Sequence, residues 1–232
     1  MSNQNKTAEN AENNELVNNG NIGFLFDLDG VLIDSESQYT NIWSDIDRAF
    51  PTGVENFALK IKGTTLENIL STYFPGDQLK KDVKKMLDEK EAEMVYEYTP
   101  GAQALLSALK ENGQGAVIVT SSNDEKMSIL WKQHPEMKAY FNSIVDGDQV
   151  SRSKPDPEGY LLGADRLGAD PKRCVVFEDS MQGVKAGRAA GSYVVGVAGT
   201  NPADKLAEYA DIVVDSLEEI SWEKLAEILR SR

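Results

Sequence analysis

Five short apolar runs constrain this chain more than any other feature: Ile22–Asp27, Ala116–Val119, Cys174–Phe177, Tyr193–Val197 and Ile212–Val214. They are rich in Val and Ile, too short for stable helices, and do not alternate with polar residues. Strands covered on both faces read this way. Helical patterns fall between them. Ala102–Lys110 presents one apolar face before Asn112-Gly113, and Glu158–Leu167 follows Asp156-Pro157 as cap and first turn, then stops at Gly168. Alternating strands and helices predict a parallel sheet with right-handed crossovers, an open α/β sandwich.

The alternation breaks between residues 35 and 98. No buried strand is expected there, and Leu79, Val83, Met86, Leu87, Met94 and Val95 follow one helix face. A second, all-α unit inserted after the first strand is therefore expected above the sheet's carboxyl edge. Its hinges are Ile33–Glu36 and Tyr98–Gly101, which leaves 22–34 and 99–232 as the core. Met1–Asn21 has no basic start and no apolar stretch, so it reads as a polar, disordered tail and not as a secretory signal.

Composition removes several chemistries. There are 24 Lys+Arg against 38 Asp+Glu, a formal net charge of −14, with one His and one Cys. A lone His134 and a lone Cys174 cannot build a zinc site from soft ligands or a disulfide framework. The acidic balance repels phosphate backbones and anionic membranes, so neither nucleic acid nor a membrane is an expected partner. No segment approaches the roughly 20 apolar residues of a membrane span. With no cysteine pair, a cytoplasmic location is expected.

In open α/β sheets ligands bind beyond the carboxyl ends of the strands. Asp27 ends the first run with Asp29 two residues on, the next ends at Thr120-Ser121-Ser122-Asn123, and another ends at Glu178-Asp179, while Lys154 precedes Pro155 ahead of a helix. Acids crowded this way repel unless a cation holds them, and oxygen-only ligands favour a hard divalent ion, magnesium above others. Taken singly, each acid is better explained as a solvated loop residue or a helix cap, a balance that four acids beside Lys and Ser/Thr reverse, and Thr120–Asn123 also suits the cap of a helix over Glu125–Trp131.

Four segments, Asp27-Leu-Asp-Gly-Val-Leu-Ile-Asp34, Val119-Thr-Ser-Ser-Asn123, Ser153-Lys-Pro-Asp-Pro157 and Phe177-Glu-Asp-Ser-Met-Gln-Gly-Val184, resemble in kind and order the motifs of the haloacid dehalogenase superfamily, specifically its phosphotransferase branch with a small helical cap. The resemblance implies a Rossmann-like, three-layer parallel-sheet core with an inserted all-α cap domain at 35–98. It implies Asp27 as nucleophile forming an aspartyl-phosphate, and Asp29 as general acid and base, its main-chain carbonyl also facing the metal. Glu178 and Asp179 would complete magnesium coordination. Gly30, Thr120, Ser121, Ser122 and Lys154 would hold the phosphoryl group.

Asp29 with Glu178-Asp179 favours phosphoryl chemistry over the metal-free dehalogenation of the family's other branch. The motif spelling is nearest to β-phosphoglucomutase-like proteins, but Tyr39 stands where the mutase has a His, and Leu66 where it has a phosphate-binding Arg. Without that cation a second substrate phosphate has no grip. The expected activity is magnesium-dependent hydrolysis of a small phosphate ester of the sugar or polyol class, with a phosphohexomutase as the alternative. Lys62, Thr65, Lys90 and Asn123 are the expected cap and rim contacts, against plain turn and surface roles. A receiver-type signalling module also uses an aspartyl-phosphate, but its phosphorylated Asp lies mid-domain and no cap follows it. A hinged cap suits a monomer that opens and closes around its ligand. His134 is expected on a surface loop, Cys174 in the core, and Trp43, Trp131 and Trp222 in packing.

Overall fold

The computed structural model describes residues 22–61 and 66–230. The tail before Ile22, and Lys62 and Thr65 of the second unit, lie outside the described residues. The chain divides into two compact units: one runs to Ile33 and resumes at Tyr98, and the other is Asp34–Glu97.

The first unit contains a six-stranded parallel sheet. The chain forms β1 (Gly23–Phe26), a two-stranded ribbon of β2 (Ile33–Asp34) and β3 (Glu97–Tyr98), then β4 (Ala116–Val119), β5 (Ser143–Val145), β6 (Cys174–Glu178), β7 (Tyr193–Val197) and β8 (Ile212–Val214). The large sheet runs β5-β4-β1-β6-β7-β8, with every pairing parallel. The chain builds outward from β1 on one side and then, after β5, on the other. The order therefore reverses at β1, and its carboxyl end is the crevice in which such sheets bind ligands.

The apolar runs form strands buried on both faces, with every residue of β1, β4 and β6 buried. Leu25, Val117, Val176 and Val194 are fully buried against Tyr160 and Ala164 of the helix Glu158–Leu167 and Val184 of the helix Met181–Ala190. Each such aliphatic side chain contributes about 1.5–3 kcal/mol on burial. Phe26 stacks on Phe177 at 4.5 Å, directly beneath the strand ends.

Several boundaries differ from expectation. β1 is shorter than Ile22–Asp27 at both ends, because the chain turns after Phe26. β6 extends one residue further, to Glu178. β5 was not anticipated: it is a three-residue edge strand whose Ser143 and Ile144 are only half-buried, so it lacks the continuous apolar signature. Pro157 is the N-cap of Glu158–Leu167 and not its first turn. Asp156 still serves that start, accepting the Glu158 N–H at 3.0 Å.

The second unit is helical, with Glu36–Ala49, Phe57–Lys60, Leu66–Tyr73 and Asp77–Ala92. Phe57 receives Trp43, Tyr73 and Phe74 edge-on around a core that includes Ile46, Ile69, Val83 and Leu87. The last helix ends at Ala92. Met94 is buried from the following extended segment and Val95 is 59% exposed, so the two do not share the face of Val83 and Leu87. Among the described residues, no helix is long and apolar enough to cross a membrane.

Candidate active site

The sheet register assembles the site. Phe26 of β1 is level with Ile118 of β4 and Phe177 of β6. The residues that follow, Asp27, Val119 and Glu178, therefore lie level at the carboxyl edge, and the Asp27 N–H donates to the Phe177 carbonyl at 3.0 Å. Asp27, Glu178 and Asp179 are all buried, and each offers an oxygen within 4.8 Å of the others. Lys154 reaches them from the loop before Glu158. Its Nζ lies 2.5 Å from Asp27 Oδ1, 2.6 Å from Glu178 Oε1 and 3.0 Å from the Val119 carbonyl.

Charge decides what this cluster can hold. Three carboxylates against one ammonium leave two negative charges in a desolvated pocket when all are ionised, an expensive arrangement unless balanced. Burial pushes Asp27 well above the usual carboxylate range; Lys154 opposes this, while Glu178 and Asp29 reinforce it. Asp179 moves the same way, from burial first and then from Asp27 and Glu178. Burial works to lower Lys154, but Asp27 and Glu178 more than offset it and hold the ammonium above its usual range. Buried oxygen ligands with two unbalanced charges fit a hard divalent cation.

Glu178 is fully buried and its oxygens are well supplied. Oε1 accepts Lys154 and the Tyr160 hydroxyl, the latter at 2.8 Å, and Oε2 accepts the Ser180 N–H at 3.0 Å and hydroxyl at 2.9 Å. Ser180 also caps Met181–Ala190 by accepting the Gly183 N–H. A Cβ on Gly183 would fall 1.7 Å from Glu178 Oε1, so a side chain there is incompatible with the buried glutamate. At Gly30 two demands coincide: φ is +77°, and a Cβ would stand 2.1 Å from Asp179 Oδ2. The Gly30 N–H donates to the Ile33 carbonyl.

Asp29 lies apart from the acid cluster. The chain turns after Asp27, and the Asp29 carboxylate is taken by the Ser122 hydroxyl at 3.0 Å and by Lys126 Nζ at 2.5 Å. The turn after β4 is built from its own side chains: Thr120 Oγ1 accepts the Ser122 N–H, and Asn123 caps the helix Asp124–Gln133 by accepting the Lys126 N–H. Asn123 is thus a helix cap, and its Oδ1 is occupied. In the second unit, Lys90 pairs with Asp45 at 3.1 Å. Tyr39 and Leu66 line a cavity of about 230 Å³ there, with Trp43 and Ile69. His134 lies in the connection after Asp124–Gln133 as its C-cap, facing Glu136 and the edge of Tyr98. Cys174 is buried, its thiol pushed up to about 12 by burial.

Lys126, Tyr160 and Ser180 were not among the expected site residues. Ser180 had a signal, since a Ser just after Glu178-Asp179 and before a helix is a natural cap. Tyr160 reads as an ordinary helix-face aromatic, and Lys126 as one charge in Asp124-Glu125-Lys126.

Fold and site together define a Rossmann-like hydrolytic enzyme with an inserted helical unit. The chain belongs to the haloacid dehalogenase-like hydrolases, whose family model matches residues 23–191. It is similar to Hexitol phosphatase A of Escherichia coli strain K12, 35% identical over 214 residues, covering 87% of this chain and 94% of that one. It is also similar to the Phosphorylated carbohydrates phosphatase of Thermotoga maritima, 31% identical over 175 residues, covering 72% and 80%. A crystal structure of a haloacid dehalogenase family hydrolase from Deinococcus radiodurans R1, with bound phosphate and sodium, matches with a TM-score of 0.73 at 26% identity, covering 85% of this chain and 92% of that one.

Proposed function

We propose that this protein is a magnesium-dependent phosphatase that hydrolyses a small phosphorylated metabolite of the sugar or polyol class through an aspartyl-phosphate intermediate. The observation that carries the reading is Lys154 bridging Asp27 and Glu178 at the point where the strand order reverses. The relatives named above as hexitol and carbohydrate phosphatases support the substrate class, and the neighbour with bound phosphate supports an anion site in this fold.

Asp27 is the nucleophile. One Oδ forms a bond to phosphorus as the bond from phosphorus to the ester oxygen breaks, and Asp29 gives a proton to the departing alkoxide. Water then attacks the phosphorus, Asp29 takes its proton, and the bond from Asp27 to phosphorus breaks to release phosphate. Thr120, the backbone of Ser121 and Ser122, and Lys154 are assigned to the phosphoryl oxygens. Asp27, Glu178 and Asp179 would hold magnesium, with the Asp29 carbonyl as a further ligand. When bound, the ion supplies positive charge to offset these acids and the phosphoryl oxygens. The Asp34–Glu97 unit is assigned as the cap that selects the substrate. Family membership and the inserted helical unit set aside the receiver-type alternative.

The test is phosphate release by the purified protein, with magnesium and with EDTA, from a panel of sugar, polyol and nucleotide monophosphates. Magnesium-dependent turnover of several alkyl phosphates is expected. No release from any ester would sink the reading, and conversion of β-glucose 1-phosphate to glucose 6-phosphate without free phosphate would replace it with the phosphohexomutase.

A further inference from the structure

Asp29 is gripped at both oxygens by a single short stretch of chain. Oδ2 accepts the Ser122 hydroxyl and Oδ1 the Lys126 ammonium, at 3.0 and 2.5 Å. Ser122 belongs to the turn after β4, and Lys126 lies in the first turn of the helix Asp124–Gln133. The cap at Asn123 accepts the Lys126 backbone N–H at 3.1 Å, so the same bond that starts the helix fixes the point from which the ammonium projects.

Local structure does not call for a lysine at this position. The N-terminal turn of a helix carries partial positive charge, which disfavours a cation and favours Asp124 and Glu125 beside it. Yet Lys126 keeps only 18% of its side-chain area exposed and is directed at an acid 97 residues away in sequence. Burying a long, flexible side chain against both its helix end and its rotamer freedom requires compensation, and the ion pair with Asp29 contributes to it.

We infer that Lys126 is a positioning residue of the hydrolytic reaction: with Ser122 it fixes the plane of the Asp29 carboxylate for proton exchange with the leaving oxygen and then with water. The inference rests on the proton-transfer role assigned to Asp29 above. Proton transfer needs heavy atoms at hydrogen-bond distance and in line, and a misplacement of about 1 Å can cost about a hundredfold. Lys154 stands in a separate arrangement, on Asp27 and Glu178, so each aspartate has its own lysine.

The experiment compares wild type, Lys126→Met, Lys126→Arg, Asp29→Asn and the Lys126→Met/Asp29→Asn double variant. The substrates are sorbitol phosphate, whose alkoxide needs a proton, and p-nitrophenyl phosphate, whose leaving group does not. For Lys126→Met, kcat/KM on sorbitol phosphate should fall at least tenfold with KM within threefold, while kcat/KM on p-nitrophenyl phosphate changes less than threefold. Lys126→Arg should recover most of the loss, and Lys126→Met should add less than twofold in the Asp29→Asn background. Equal losses on both esters, a change confined to KM, or full additivity with Asp29→Asn would overturn the inference, as would wild-type turnover left intact by Lys126→Met. If wild type hydrolyses neither these two esters nor any of the panel above, the phosphatase reading falls and takes this inference with it.

Discussion

The Lys154 ammonium and the Asp27 carboxylate form a 2.5 Å ion pair in which each side chain retains only 12% of its accessible area. That pair is one arm of a bridge, since the same ammonium reaches Glu178 at 2.6 Å. Lys154→Met therefore removes the one positive charge that, among the described residues, contacts both buried acids. Breaking a buried pair costs about 3–5 kcal/mol when the remaining charge stays ionised. Here the penalty has an escape, because Asp27 and Asp179 are pushed above the usual carboxylate range and take up protons readily. Denaturant unfolding should show a loss of about 3 kcal/mol at pH 8 and a markedly smaller one at pH 5. Equal losses at both pH values would mean that packing, not charge, is what Lys154 supplies.

Asp27→Asn separates fold from chemistry. The amide cannot attack phosphorus, so kcat should drop by about 10⁴ or more. The same change deletes a carboxylate whose charged form burial disfavours, and it keeps the side chain's shape. Measured with EDTA at pH 8, thermal stability should match or exceed that of wild type. Retained turnover would remove Asp27 from the nucleophile role, and a collapse of the melting temperature would show that the ion pair outweighs the desolvation it relieves.

How far the site could be read from sequence follows from which residues end strands. Asp27, Thr120, Glu178 and Asp179 were legible because an apolar run stops at each, and the carboxyl edge of a parallel sheet gathers such stops. The sheet order was not legible beyond its class: β5 is short and half-exposed, so its place beside β4 emerges only with the tertiary packing. Asp29, two residues beyond Asp27, was expected among the acids crowded at this edge. β1 ends at Phe26, however, and the turn sends the Asp29 carboxylate to Ser122 and Lys126. Lys126 was hidden because its partner is 97 residues away and its neighbours are ordinary surface charges. Tyr160 was hidden because nothing local distinguishes a core aromatic from one whose hydroxyl meets a buried acid.

Tyr160→Phe tests that last contact. The phenol is 1% exposed and donates to Glu178 Oε1 at 2.8 Å, and burial with the nearby acids holds it neutral by pushing its ionisation well above normal. A hydrogen bond to a charged group contributes about 1.5–3 kcal/mol, and the ring itself is kept in the variant. A loss of about 2 kcal/mol in denaturant unfolding is expected. Because Glu178 would be freer to turn, magnesium affinity by isothermal titration should fall severalfold. An unchanged affinity would show that Lys154 and Ser180 alone fix the glutamate.

Magnesium and protons should compete for the same acids. Asp27 and Asp179 have folded-state values raised to about 7 and about 8, against about 4 in the unfolded chain. A raised carboxylate stabilises the fold fully below its unfolded value, and that contribution is lost as the pH climbs through the folded value. Metal-free protein should therefore lose the contribution of these two acids between about pH 4 and pH 8. Cation binding requires the ionised forms, so its stabilisation must grow across the same window. At a concentration one hundred times its Kd, a ligand adds about 2.7 kcal/mol, which for a chain of this size is a shift of about 5–10 °C. Thermal melts with magnesium and with EDTA should show that shift near pH 8 and almost none near pH 5. Asp179→Asn should reduce the shift at pH 8, because it removes one of the three buried acids that leave two charges unbalanced.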